Sequence, residues 1–321
     1  MIQKKIIDLI SSKTKIIKRD LIERDLILHK LLIELVSEKY FAKNYAFKGG
    51  TCLIKCYFGY YRFSEDLDFT YINQKEFDKK SEKQKRRILS EKIDLILNIL
   101  KKISDKIGLD FETTKNNPKY IEFGGSNKQI TFKLWYIPEG QTEETLIKIQ
   151  INFIEKLKYQ IIKRCANNIF FGKHKNHELA FLLPEDSKWI LETPNLKCYD
   201  IKEILLEKVR AILTRKGIKE RDFLDIYMIE NNKKLNIKSF KEQIIEKIKA
   251  MLKFEKYRNN LNEKLENRID IKIGEEEKLL LIPIPKKDLE KFLERFNIFL
   301  QEIIKELSKE KNENNIHTDK V

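Results

Sequence analysis

The sequence predicts an α+β protein in which a mixed β-sheet with flanking helices is followed by a C-terminal helical bundle. Residues 66–72 and 146–153 alternate between apolar and polar side chains, as strands with one buried face do. Residues 75–107 and 238–310 instead repeat their apolar side chains at the spacing of an amphipathic helix. The two periods occupy separate stretches, which favours a sheet domain and then a helical one.

The remaining elements follow from the same two periods. They are a helical region over 2–42, strands over 109–113, 120–123 and 129–137, and an irregular stretch over 155–199. Pro184 and Pro194 interrupt the irregular stretch. We therefore predict two domains, a sheet-containing domain over 1–195 and a helical bundle domain over 196–321.

The amino-acid composition limits the partners and the location that we expect for this protein. The chain has 321 residues and a formal net charge of +15, which favours polyanionic partners, although a general preference for lysine would produce the same excess. No uninterrupted apolar run is long enough to span a membrane, and no signal peptide is evident, so we expect a cytoplasmic protein. The four cysteines lack the spacing of a zinc site and are expected to be free thiols.

One stretch carries most of the chemical information. Gly49 and Gly50 need no side-chain room, so a phosphate can approach their backbone, and the apolar run after Thr51 reads as the start of a helix. Asp66 and Asp68 then lie two residues apart in a predicted strand, which directs both side chains to one face. Two carboxylates at that spacing can share a Mg²⁺ ion and leave coordination positions for substrate phosphates.

An exposed strand often carries an Asp-x-Asp pair merely as a solvated face, but a glycine turn, a hydroxyl, a short helix and two such acids form a rarer combination. Residues 48–53 and 62–69 together resemble the AbiEii/AbiGii toxin family of nucleotidyltransferases. Thr51 stands where the wider superfamily has serine, and the gap to the acids is longer, in the manner of the toxin family. The resemblance covers roughly residues 45–72, and a block near residues 200–228 supports it.

The resemblance implies a function as well as a nucleotidyltransferase core. It implies transfer of a nucleoside monophosphate from an NTP to an acceptor, with Mg²⁺ (or Mn²⁺) held by Asp66 and Asp68. The acceptor expected for the family is RNA, with tRNA the leading candidate, and the enzyme is a toxin restrained by a separate antitoxin. The expected nucleotide-binding residues are Lys48, Gly49, Gly50, Thr51, Arg62 and Ser64. Arg62 could equally form a salt bridge with Glu65 or with another acid.

A second block, over residues 200–231, predicts two consecutive helices. In the family it resembles, a lysine on the first helix contacts nucleotide phosphate and an acid on the second supports the site, which assigns these roles to Lys208 and Asp225. Arg221 and Asp222 are further candidates. The alternative is an ion pair between Lys208 or Arg210 and one of these acids that simply joins the two helices.

The strand over 146–153 departs from the nucleotidyltransferase pattern. Nucleotidyltransferases usually carry a third metal-binding acid there, but Gln150 and Asn152 are neutral. Two aspartates would only partly balance two divalent ions, so one ion binds, or the triphosphate supplies the missing charge, or another acid such as Glu155 reaches in. Two other functions therefore stay open: a nucleotidyltransferase that modifies a protein hydroxyl, and an NTP-binding interaction module with little catalysis.

Overall fold

The structure is a computed structural model that describes residues 2–124, 128–172, 176–266 and 280–318. Its internal contacts divide the chain into two units. The first contains Met1–Glu155 and Gln160–Asp200, and the second contains Lys156–Tyr159 and Ile201–Val321. The chain thus contributes a short segment to the second unit before the first is complete.

The strands belong to the first unit. They are β1 (Tyr45–Lys48), β2 (Asp66–Tyr71), β3 (Ile121–Gly124), β4 (Gln129–Tyr136), β5 (Thr145–Asn152), β6 (Ile161–Cys165) and β7 (Asn195–Tyr199). Over the described part of the chain they form one seven-stranded sheet in the order β3-β4-β5-β2-β1-β7-β6. Strand β1 is antiparallel to β2 and parallel to β7, and β2 is parallel to β5. The predicted α+β fold with a mixed sheet is confirmed.

The centre of the sheet has one apolar and one polar face. On β2, Leu67 and Phe69 are buried, whereas Asp66 and Asp68 are half-buried. Because successive strand residues point to opposite faces, both aspartates lie on the polar face. The apolar face supplies the core that fixes the register of the strands.

Helices of the first unit pack around this sheet. They are α1 (Lys4–Thr14), α2 (Arg19–Ser37), α3 (Lys39–Asn44), α4 (Gly49–Leu53), α5 (Glu82–Ile107), α6 (Asn176–Leu182) and α7 (Ser187–Leu191), with α4 continuing as a π-helix over Ile54–Phe58. Helix α5 begins at a capping box formed by Ser81 and Gln84 and ends at Gly108, whose φ of 78° is left-handed. The helix predicted over 75–107 is therefore confirmed at its C-terminal end, but it begins at Glu82.

Two predictions for this unit were wrong. The strand expected over 109–113 is reduced to an isolated bridge, in which the backbone groups of Asp110 pair with those of Trp135. The stretch expected to be irregular, 155–199, contains β6 and β7. Strand β6 lies at the edge of the sheet with its side chains largely exposed, so it lacks the apolar alternation that marks a buried strand.

A buried polar cluster joins the π-helix to α2. Lys55 Nζ lies 2.6 Å from Asp25 Oδ1, and the two side chains are 0% and 4% exposed. The Tyr60 hydroxyl and the Ile169 amide donate to the same carboxylate. Burial lowers the pKa of Lys55, and Asp25 offsets part of this effect. Removing either ion would leave the other without its counter-charge, so the cluster holds these elements in one arrangement.

The second unit is helical in its regular structure. Its helices are α8 (Ile201–Thr214), α9 (Glu220–Lys233), α10 (Lys241–Leu252), α11 (Glu255–Glu266) and α12 (Lys286–Thr318). The prediction of helices after residue 200 is confirmed for these ranges. Across the described residues of both units, no helix combines the length and apolar character needed to cross a membrane.

A buried carboxylate on α8 attaches the segment Lys156–Tyr159 to these helices. Glu203 Oε2 accepts the backbone N–H groups of Lys158 and Tyr159, both at 2.8 Å. Glu203 Oε1 accepts from the ammonium of Lys247 on α10. Because each oxygen has a donor, the buried charge is compensated.

His29 on α2 is a buried titratable group. Its Nε2 lies 2.9 Å from the carbonyl oxygen of Glu192, and its Nδ1 has no hydrogen-bond partner in the described part of the chain. Burial, reinforced by the charge of Lys55, lowers the pKa of His29 to about 3. The imidazole is therefore neutral in the folded protein at all but strongly acidic pH.

This pKa predicts a loss of stability as the pH falls from about 6.5 to about 3, because the unfolded histidine binds a proton that the folded one does not. The loss should approach about 1.4 kcal/mol per pH unit within that window. His29→Gln keeps a donor toward Glu192 without titrating and should reduce the slope by this amount in urea unfolding measured from pH 3.5 to 7. Equal slopes for the two proteins would contradict the prediction.

Candidate active site

Gly49 lies against the carboxylate of Asp68. The backbone at Gly49 has a φ of +78°, and Lys48, the residue before it, is opposite Asp68 in the antiparallel register of β1 and β2. A Cβ at position 49 would lie 3.1 Å from both Cβ and Cγ of Asp68, and closer still to its Oδ2. Glycine is thus required both by the backbone conformation and by the nearby carboxylate. The structure brings the glycine turn and the second aspartate together.

Thr51 connects the first turn of α4 to the beginning of β2. Its hydroxyl donates to the carbonyl oxygen of Asp66 and lies 2.7 Å from Ser64 Oγ. Thr51 is buried, whereas Gly49 and Gly50 are half-buried. The backbone of the glycine turn is therefore the accessible part of this motif, and the threonine hydroxyl fixes the position of Asp66.

The sheet register gives each aspartate a polar neighbour on the same face. In the parallel pairing of β2 with β5, Asp66 lies opposite Lys148, and Asp68 lies opposite Gln150. Gln150 Nε2 donates to Thr131 Oγ1 on β4 at 3.2 Å. Among the described residues, no cluster of three histidine, cysteine, aspartate or glutamate side chains is arranged to hold a metal ion. Asp66 and Asp68 are thus the two carboxylates that β2 itself presents on this face.

Glu155, the acid proposed to reach in, lies in a buried hydrogen-bond network beside Lys48. Its Oε2 accepts from Lys48 Nζ at 2.7 Å, from Thr70 Oγ1 at 2.7 Å and from the Tyr199 hydroxyl at 2.8 Å. The Lys48 and Glu155 side chains are only 10% and 9% exposed. This network occupies one oxygen of Glu155 and balances the charge of Lys48.

Sequence reasoning missed two members of this network. Thr70 lies two residues after Asp68, so the strand period could have placed it on the same face. Tyr199 comes from β7, which the sequence did not reveal as a strand. Asn152 completes the row opposite Thr70, and its Oδ1 is buried without a hydrogen-bond partner among the described residues.

Arg62 is buried rather than directed to solvent. It is 2% exposed, and its Nη1 donates to the carbonyl oxygen of Phe63 at 2.7 Å. Glu65, the alternative salt-bridge partner, instead pairs with Arg24 at 2.6 Å. In this conformation, Arg62 supports the loop that leads into β2.

The second unit holds the other group of predicted residues. Lys208 Nζ on α8 lies 2.6 Å from Asp222 Oδ1 and 2.6 Å from Asp225 Oδ2 on α9. Asp222 also pairs with Arg215 at 2.8 Å. Burial raises the pKa of Asp222, but Lys208 and Arg215 outweigh it, so the pKa lies below its ordinary value. Arg221 is half-buried on the first turn of α9.

This ion cluster is the helix-joining ion pair given as the alternative from the sequence, whereas the phosphate-binding role of Lys208 stays a prediction. Lys208 joins the two helices, as the structural alternative requires. Its ammonium also lies between two carboxylates that are 4% and 0% exposed, so its orientation is fixed. A fixed cation is what a phosphate-binding role needs.

Comparison with known families assigns the chain. The family model described as "Nucleotidyl transferase AbiEii toxin, Type IV TA system" matches residues 30–310. The chain therefore belongs to the AbiEii family, whose members are nucleotidyltransferase toxins of toxin–antitoxin systems. The resemblance noted in the glycine turn and the acidic strand is confirmed.

Comparisons with solved structures and with curated proteins give less information than the family model. JHP933 from Helicobacter pylori is 16% identical with a TM-score of 0.39, and the match covers 91% of this chain and 97% of that one. A candidate nucleotidyltransferase from H. pylori is 18% identical with a TM-score of 0.40 and the same coverage. Both likenesses are weak. A comparison with curated proteins found no match.

The contact between Gly49 and Asp68 gives a first test. Gly49→Ala should displace the Asp68 carboxylate and lower nucleotidyl transfer by about tenfold or more, the effect of about 1.4 kcal/mol on the barrier. Gly59→Ala is a matched control, because Gly59 has a φ of +75° but nothing within 4 Å of an added Cβ. Both variants should lose stability from backbone strain, because a residue with a Cβ is disfavoured at a positive φ. Equal activity of the two variants would contradict the contact.

Lys208 gives a second test. Lys208→Met leaves two buried carboxylates short of their counter-charge and should lower the free energy of unfolding by about 3–5 kcal/mol. Arg215, whose side chain is 40% exposed, pairs with one of the same carboxylates. Arg215→Met should therefore cost less than about 1 kcal/mol in thermal unfolding of the full chain. Equal losses would show that Lys208 is not the main counter-charge.

Proposed function

We propose that this protein is a Mg²⁺-dependent nucleotidyltransferase that transfers a nucleoside monophosphate from an NTP to an RNA acceptor, with tRNA the leading candidate. The observation that carries the proposal is the position of the Asp68 carboxylate against the Gly49 backbone, with Asp66 on the same face of β2. A backbone suited to phosphate and two carboxylates suited to a cation are thereby adjacent. The family assignment supplies the reaction class.

In this proposal, the glycine turn binds the triphosphate. Gly49 and Gly50 open a helix, and the first amides of a helix have no intrahelical acceptor and so suit phosphate oxygens. Thr51 and Ser64 hold the turn in register with β2 through their hydroxyl contact. Lys48 shapes the turn through its pairing with Glu155.

Asp66 and Asp68 would hold the cation. Their carboxylate oxygens are ligands that Mg²⁺ prefers, and Mn²⁺ accepts the same donors. Because Gln150 and Asn152 are neutral and Glu155 Oε2 already accepts from Lys48, the donor set of Asp66 and Asp68 suits one ion that shares the substrate phosphates. When bound, the ion would neutralise charge on the phosphates during transfer. The two aspartates position it relative to the glycine turn.

Lys208 and Asp225 would complete the site. Lys208 would neutralise phosphate charge in the transition state, and Asp225 would hold its ammonium in place through the 2.6 Å ion pair. Asp222 and Arg215 share this cluster, and Asp222 and Arg221, both on the first turn of α9, are further candidates for the site. We also propose that 1–195 acts as the nucleotidyltransferase domain and that the helical bundle domain, 196–321, contributes Lys208 and Asp225.

The net charge of the chain supports the proposed RNA acceptor, and its family membership supports an antitoxin partner. A net charge of +15 favours a polyanionic acceptor such as RNA over a protein hydroxyl. Membership of a type IV toxin–antitoxin family implies a cognate antitoxin. We propose a cytoplasmic location for the protein, because NTP and RNA are found there.

The decisive experiment compares acceptors. The purified full chain is incubated with each labelled NTP and Mg²⁺, once with total RNA and once with total protein. Label should pass to RNA, and tRNA should be the main product on a denaturing gel. Label on protein alone would replace RNA by a protein hydroxyl as acceptor. Bound NTP without any transfer would favour the interaction-module alternative.

Asp66→Asn and Asp68→Asn should each reduce transfer by about a hundredfold or more, because each removes a charge that positions the cation. Both should also abolish growth arrest on expression. Asp105→Asn serves as the control, since Asp105 is 58% exposed and pairs only with its helix neighbour Lys101 in the described contacts. Toxicity that persists in both site variants would overturn the catalytic proposal.

A further inference from the structure

The cations expected from the sequence to bind phosphate in the first unit are both compensated. Lys48 is paired with Glu155 in a buried network. Arg62 is 2% exposed and donates to the carbonyl oxygen of Phe63. An NTP with two aspartates beside it brings more negative charge than one divalent ion neutralises. Besides Lys208 of the second unit, a further cation on the polar face itself would offset this charge.

Lys148 occupies such a position. It lies on β5 directly opposite Asp66 in the parallel register, and the strand period puts both side chains on the polar face. Its strand neighbours, Ile147 and Ile149, are fully buried on the other face, whereas Lys148 is exposed. Within the described residues, Lys148 forms no hydrogen bond or ion pair.

Stability does not explain this lysine. In the antiparallel register of β4 and β5, Lys148 lies directly opposite Lys133, and like charges in that arrangement are destabilising. Lys133 is relieved by Glu122, whose carboxylate lies 3.0 Å from its ammonium, and by the carbonyl oxygen of Pro118 at 3.2 Å. Among the described residues, Lys148 pairs with no carboxylate, although Asp66 lies opposite it on β2. An exposed lysine without an ion-pair partner in the described part of the chain is accessible to an anionic ligand.

The spacing between strands also allows Lys148 to reach a bound phosphate. Adjacent strands lie about 4.8 Å apart, and a lysine side chain spans more than that length. An anion held by the cation at Asp66 and Asp68 would thus be within reach of the Lys148 ammonium. Gln150, the next residue on this face, lies opposite Asp68. Strand β5 therefore presents a cation and an amide beside the two acids.

We propose that Lys148 binds a phosphate oxygen of the NTP and supplies positive charge on the side of the site formed by β5. This inference rests on the proposed function, since it assumes that the NTP binds at Asp66 and Asp68. The ammonium donates hydrogen bonds to the triphosphate and keeps its proton throughout. Lys148 is then a substrate-binding residue of the first unit.

The test measures nucleotide binding apart from turnover. The full chain, as wild type and as Lys148→Met, Lys148→Arg and Lys133→Met, is titrated with the four α,β-methylene NTP analogues in the presence of Mg²⁺. Lys148→Met keeps the apolar stem and should weaken binding by about 10- to 100-fold, the range of a lost hydrogen bond to a charged group. Lys148→Arg should retain binding within about threefold. Lys133→Met, on the same row but paired with Glu122, should match the wild type.

A second arm compares KM values for NTP and for RNA in the transfer reaction. An increase in the KM for NTP that parallels the binding loss, with an unchanged melting temperature, supports the role. Wild-type analogue binding by Lys148→Met, or a change confined to the KM for RNA, overturns it. Failure of the proposed function looks different, because the wild type would then bind analogues without transferring label to RNA. A wild type that binds no analogue overturns both.

Discussion

The close approach of Gly49 to the carboxylate of Asp68 is the constraint on which the proposed site depends. It exists because Lys48 and Asp68 are opposite each other in the β1–β2 pairing, and because a left-handed backbone without a Cβ leaves room for the acid. A slip of this register by one residue would send both aspartates to the apolar face. The buried residues Phe47, Leu67 and Phe69 oppose such a slip.

The polar face of the sheet is also stabilised by hydrogen bonds near the contact between Gly49 and Asp68. The carboxylate of Glu155 gathers a lysine, a threonine and a tyrosine from three strands, so the residues beside the aspartates are held by hydrogen bonds and not by packing alone. Buried charge of this kind is tolerated only when each ion has its partner. On this face, Lys48 is therefore held by its ion pair with Glu155, whereas Lys148 is exposed.

The sequence revealed the parts of the site that depend on short spacings. The glycine pair, the threonine and the two aspartates are placed by local periods, and the fold and the family were predicted from them. The partner of Lys48 was not predictable, because Glu155 is 107 positions away and only strand register brings the two together. Strand β6 was missed because its exposed edge carries no alternating apolar pattern. The features that the sequence did not predict depend on pairing between strands that are far apart in the chain, and not on local propensity.

The attachment of Lys156–Tyr159 to the helical unit limits how this protein can be divided. A fragment cut from the chain at residue 196 or 201 would contain Glu203 but would lack the two amide donors that satisfy one of its oxygens. Its buried carboxylate would then face a gap in place of a peptide segment. Separate expression of the helices therefore calls for a permuted or two-piece design in which those four residues are restored.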